Sequence, residues 1–178
     1  KGVPMILGMS IPTFTFVHTA LSLVGIFAGL VVLFGMFRSR RLPGWTLVFL
    51  VTTVLTSVTG FFFPVERILP SHVVGVISLA VLAVTLAALY LFRLAGSWRW
   101  LYVATAVFAL YLNVFVGVVQ AFGKVPFLNA WAPKQTDLPF IVAQGVVLVV
   151  FGYLGIKAVR SFHPEKNGLG TARGAVTA

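Results

Sequence analysis

The sequence has no cysteine, and only three of its 178 residues are carboxylates: Glu66, Asp137 and Glu165. Without thiols there are no disulfides, thiolate metal ligands or cysteine nucleophiles. All three carboxylates lie outside the long apolar runs. A carboxylate proton relay inside a membrane, or the carboxylate pair of acid–base hydrolysis, therefore has nothing to be built from. Histidine is scarce too, with His18, His72 and His163 making up the whole supply. Metal-dependent hydroxylases and intramembrane proteases need several histidines or carboxylates around one ion. An enzyme is accordingly the weakest class of function.

Charge of either sign is thin, at 9% of residues, while 60% are hydrophobic and the mean hydropathy is +1.06. A soluble domain of this size cannot hide so much apolar surface, whereas a bilayer replaces the missing interior. The net charge of +10 would point to nucleic acid in a soluble protein. Here the basic residues flank apolar runs and form no continuous patch. The expected partner is the lipid bilayer, and no nucleic acid.

Nine prolines (4, 12, 43, 64, 70, 126, 133, 139 and 164) fall between apolar runs or beside their ends, where a missing N–H costs least. They frame runs at residues 13–37, 45–63, 71–92, 100–122 and 140–159. Each run is about 19–25 residues, enough for a helix to cross ~30 Å of hydrocarbon. Helix is the state that satisfies the backbone against lipid. No proline separates the third and fourth runs, but Arg93, Gly96, Ser97 and Arg99 break the pattern there. The expected fold is all-α, a polytopic membrane bundle of five transmembrane helices in residues 1–160. A longer connection occupies 123–138, and a Gly-rich polar tail, expected to be disordered, covers 161–178. The first run is too long for a cleaved leader, and its basic cluster follows instead of preceding it.

Lys and Arg bias sets the orientation. Arg38, Arg40, Arg41, Arg93, Arg99, Lys157, Arg160, Lys166 and Arg173 share one side; Lys1, Arg67, Lys124 and Lys134 share the other. The first side is expected to be cytoplasmic, giving an outside N-terminus, an inside C-terminus and residence in a bacterial cytoplasmic membrane. Trp45, Trp98 and Trp100 then mark the inner interface and Trp131 the outer one.

Small residues at packing spacings let helices approach closely in lipid. Gly25 and Gly29 form a GxxxG pair in the first span, Ala83 and Ala87 mark the third, and Gly145, Gly152 and Gly155 the fifth. They suit packing within the bundle or, alternatively, a homo-oligomer interface.

The informative positions are the polar residues within the spans. His18 and Ser22 continue into Gly25 and Gly29 as one helical stripe; Thr52, Thr56 and Thr59 make a second; Asn113, Gly117 and Gln120 a third. With Gln144 these stripes can converge on one polar pocket open to the outside. His18 and His72 both lie near the outer face. Each position also has a plain structural role: hydroxyls bond back to their own helix, and amides link helices. Glu66 and Arg67 read as a surface pair, and Asp137 sits where a helix start favours an anion.

Three functions compete. The first is a non-enzymatic protein with a small-ligand pocket, acting as a subunit of a larger membrane assembly or as a homo-oligomer. The second is a redox carrier for b-type haem or a quinone, with His18 and His72 as candidate haem or metal ligands, although their different depths fit poorly with shared axial ligation. The third is a small-solute transporter or channel, for which the apolar inner half offers no obvious path within one protomer. The outer loop, with Phe127, Leu128 and Trp131, is expected to lie on the interface and lid the pocket.

Overall fold

Each proline near the start of an apolar run sits in a first helical turn, where its missing N–H and fixed φ cost nothing. Helices therefore begin about two residues earlier than the apolar runs, within the boundary uncertainty that caps produce. The computed structural model describes residues 5–64 and 70–164. Glu66, Arg67, Lys1 and residues 165–178 of the tail lie outside the described residues.

In chain order the elements are β1 (Met5–Ile6), β2 (Met9–Ser10), α1 (Ile11–Phe37), α2 (Pro43–Gly60), α3 (Pro70–Leu86), α4 (Trp98–Lys124), α5 (Pro126–Trp131) and α6 (Leu138–Ser161). A π-helical turn, Ala87–Leu91, extends α3. Five of the helices are long and apolar enough to cross a membrane. Side chains such as Phe16, Leu91 and Val149 are more than 70% exposed on their outer faces, which water would not tolerate over so many positions and lipid does.

The small antiparallel hairpin β1–β2 departs from a purely helical reading. Its turn residues Leu7 and Gly8 both have positive φ, the geometry that matches strand twist in a two-residue hairpin. Ser10 caps α1 by accepting from the Thr13 N–H. α2 stops at Gly60, three residues short of the apolar run's end, since Pro64 biases its predecessor away from helix.

The long helices alternate in direction, and α4 is the central one, packed against α1, α3 and α6. The core is aliphatic and aromatic, including Ala28, Phe49, Leu82, Val103 and Leu110. Gly29 is where α1 comes closest to its neighbours: a Cβ there would lie 2.6 Å from Leu110 Cδ1 and 2.9 Å from Phe49. Gly25 likewise admits Thr52, whose Oγ1 would stand 3.0 Å from an added Cβ. Gly145 and Gly152 are different, with open space around them on the outer face of α6. Ala83 is also on an outer face, and Ala87 is half-buried; the buried row of α3 runs through Ser78, Leu82, Thr85 and then Ala88. Within this chain Gly145, Gly152 and Ala83 do not pack helices, because the third and sixth helices turn neighbouring residues inward.

Arg38, Arg40, Arg41, Arg93, Arg99, Lys157 and Arg160 gather at one end of the bundle, the basic end. Ser39 ties it together: its hydroxyl donates to the Ser161 carbonyl and accepts the His163 N–H at 3.0 Å. Ser39 itself has φ +53. The Arg40 N–H reaches back to the Gly35 carbonyl and the Ser39 N–H to Met36, the pattern of a helix closed by a left-handed residue.

Candidate functional site

Toward the end opposite the arginines, α1, α2, α3 and α4 diverge around a cavity of about 590 Å³. Its walls are mostly apolar, with polar groups from all four helices, the usual character of a small-molecule site. α1 contributes Thr15, His18, Thr19 and Ser22, which recur at helical spacing along one face. Thr56 and Ser57 come from α2, with Phe61 and Phe63 just beyond its end; α3 supplies Ser71, His72 and Ser78. α4 supplies Asn113, Gln120 and Lys124, the last two exposed. At the helical rise Asn113 and Lys124 are about 16 Å apart along the axis, so Asn113 is at the deep end and Lys124 at the rim.

Several lining groups are held by neighbours. His18 Nδ1 lies 2.8 Å from Thr59 Oγ1. Thr59 spends its single proton on its own helix, donating to the Leu55 carbonyl at 2.7 Å. It must therefore accept from His18 Nδ1–H; in the neutral ring that tautomer carries its lone pair on Nε2. Among the described residues no hydrogen bond reaches Nε2. Phe63 meets the His18 ring edge-on at 5.2 Å. Phe61 packs against His72 at 5.7 Å. Gly75 makes this possible, because a Cβ there would be 3.0 Å from Phe61 Cζ.

The threonine stripe of α2 divides by role. Thr52 donates to Val48 at 2.7 Å and Thr59 to Leu55, the back-bonding usual for hydroxyls in transmembrane helices. Thr52 is buried at the contact with α1, below the cavity, and Thr59 acts through His18. Thr56 is the exception: its Oγ1 is buried without a partner among the described residues, although its residue lines the cavity. A buried hydroxyl left unmatched costs about 1–3 kcal/mol, a cost that a bound polar atom would remove.

Asn113 donates from Nδ2 to Thr53 Oγ1 at 3.0 Å, joining α4 to α2 while lining the cavity. Ser57 donates to Ser78 at 3.1 Å, joining α2 to α3. The structure thus brings together His18, Ser22, Thr56, Asn113, Gln120 and His72, and leaves Gln144 apart. Gln144 is on α6, donates to the Phe115 carbonyl at 3.1 Å and does not line the cavity. α6 packs against the opposite side of α4, so its polar group cannot reach the space between α1 and α3.

No α5 residue lines the cavity; from the 123–138 connection Lys124, at the end of α4, does. Instead α5 rests against α4, with Phe127 and Trp131 exposed and their rings 5.6 Å apart. Thr15, Thr19, Ser71 and Ser78 add to the lining beyond the residues the sequence points to; Thr15 and Thr19 extend the His18 stripe, and Ser71, Gly75 and Ser78 make another. Phe61, Phe63 and Lys124 carried no such signal. No group of three or more metal-ligating side chains occurs among the described residues. No protein-family model, curated protein or solved structure matches the chain.

Proposed function

We propose that this is a non-enzymatic integral membrane protein that holds a small amphipathic ligand in the cavity between α1 and α4. It would work as a subunit of a larger membrane assembly or as a homo-oligomer. The observation that carries the reading is the convergence of polar groups from four helices on one largely apolar cavity of about 590 Å³. By the Lys and Arg bias, the cavity faces the outside of a bacterial cytoplasmic membrane and the basic end faces the cytoplasm.

The lining describes the ligand. Phe61, Phe63, Leu23 and Ile26 suit a flat or branched apolar body. His18 Nε2 can accept a hydrogen bond from a hydroxyl or amide, and the Thr56 hydroxyl can donate one to a carbonyl. Lys124 adds a cation at the rim. A molecule with an apolar body and two separated oxygen functions meets all three.

Purification in mild detergent followed by organic extraction and mass spectrometry tests the reading. A stoichiometric amphipathic molecule is expected from the wild type and is lost from His18→Leu. In Thr59→Val the ring loses its partner, and retention should fall roughly tenfold, the usual scale for removing a group that orients a ligating histidine. Retention unchanged in both variants rejects the cavity as the site.

A second reading is favoured by one observation: His18 and His72, from separate helices, line the same cavity. That arrangement suits a redox carrier whose group is b-type haem or a quinone headgroup. A Soret band in the purified protein decides for haem, and its absence after haem supplementation decides against it.

A further inference from the structure

At the basic end the connection between α1 and α2, the π-helical turn after α3, and Phe162 enclose a second and smaller cavity of about 90 Å³. Arg40, Arg41, Thr46, Tyr90 and Tyr102 line it together with the buried Phe162. Val32, Met36 and Leu89 complete an apolar wall. Thr46 and Tyr102 are both buried in its wall, while Arg40 and Arg41 make no side-chain hydrogen bond or ion pair among the described residues.

The surrounding charge is one-sided. Seven described cations occupy this end, and the one described carboxylate, Asp137, is at the opposite end, accepting from the Lys134 N–H at 2.8 Å. Two of the other cations are already engaged: Arg99 donates to the Phe162 carbonyl at 3.0 Å, and Lys157 lies over the Phe37 ring at 5.1 Å. Arg40 and Arg41, both exposed at the rim of the recess, thus share its lining with tyrosine and threonine and face no described protein anion. Planar guanidinium donors match phosphate oxygens in pairs.

The walls also bear on where the phosphate comes from. The recess, about 90 Å³, is of a size to seat a phosphate group. The apolar wall beside it suits the first carbons of an acyl chain. The irregular backbone here supports a built recess: the π turn places Leu89 and Tyr90 on its wall, and Arg93 and Leu94 just beyond take positive φ. Such turns inside helices recur at functional positions.

We infer that this recess is a binding site for the phosphate of an anionic membrane lipid, held by Arg40 and Arg41. It is separate from the large cavity, about a membrane half-thickness away along α1, and does not depend on what that cavity holds.

The test uses the purified full chain in neutral detergent, titrated with short-chain phosphatidylglycerol, phosphatidylcholine or inorganic phosphate, and read by native mass spectrometry and thermal midpoint. Phosphatidylglycerol should bind and raise the midpoint; phosphatidylcholine and inorganic phosphate should do so much more weakly. Arg40→Gln and Arg41→Gln should each weaken phosphatidylglycerol binding roughly fivefold, the worth of one cation near an anionic lipid. Arg160→Gln, outside the recess, should leave it unchanged. Equal binding of phosphatidylcholine, or of inorganic phosphate, overturns the lipid assignment. Equal losses in Arg40→Gln and Arg160→Gln overturn the recess in favour of a diffuse charged surface. Tyr90→Phe, which keeps every charge, gives a folded comparison should an arginine variant fail to fold: binding identical to wild type there, with Arg40→Lys also identical, overturns the site.

Discussion

Asn113 shows how one side chain serves two ends. Its amide holds Thr53, which is fully buried, and its residue also lines the deep end of the large cavity. Asn113→Leu removes the one hydrogen bond at Thr53 Oγ1 among the described residues. Stability should fall by about 1 kcal/mol, the usual worth of a bond between transmembrane helices, read as a lower thermal midpoint in detergent. Thr53→Val in the same background should cost little more, because the pair is already broken; additive losses would show that the two side chains act separately. Ser39 makes a comparable case at the basic end. Ser39→Ala keeps the left-handed backbone but loses both the bond to Ser161 and that from His163. Ser39→Gly loses them as well but relaxes the backbone, a relief of roughly 1 kcal/mol. Alanine should therefore be the less stable of the two, and the reverse order in a denaturant titration would mean that the turn is not strained.

Among the helices, α1 and α6 use glycine in opposite ways. Gly29 admits Leu110 and Phe49 to within contact that no Cβ tolerates, whereas Gly145 and Gly152 border open space. Gly29→Val should cost about 1–3 kcal/mol through overpacking, with a lower yield of monodisperse protein. Gly145→Val should leave the isolated chain within about 0.5 kcal/mol of wild type. If α6 meets a second copy or another subunit in the membrane, Gly145→Val instead shifts the assembly state, seen as a change in cross-linking between copies. The spacing of small residues was legible in the sequence for both helices. Which glycines face a neighbour was not, because every face of a helix in lipid is apolar and the contrast that marks an inside face in water is missing.

For the whole molecule, the natural absence of cysteine is an experimental convenience, since any introduced thiol is the only one. Thr136→Cys, in the α5–α6 connection, should react with a membrane-impermeant thiol reagent on intact cells. Ser97→Cys, in the connection before α4, should react only after permeabilisation. The opposite pattern would invert the orientation derived from Lys and Arg bias. It would place the basic recess outside and the large cavity inside, while leaving the geometry of both intact.

Five apolar helices of spanning length, their approximate ends and the segregation of arginine to one end are legible in the chain's order of residues, because hydrocarbon thickness, backbone satisfaction and proline chemistry act locally. Helical periodicity also put His18 with Ser22 and Asn113 with Gln120 on common faces. Which faces meet is set by the packing of the folded bundle. It turned the α3 residues His72 and Ser78 toward those of α1 and carried Gln144 away on the far side of α4. It also singled out Thr56 among three threonines as the hydroxyl without a partner among the described residues. Periodicity fixes the face a residue occupies on its own helix, whereas the neighbour that face meets depends on close fits such as Gly29 against Phe49, made between residues far apart in the chain.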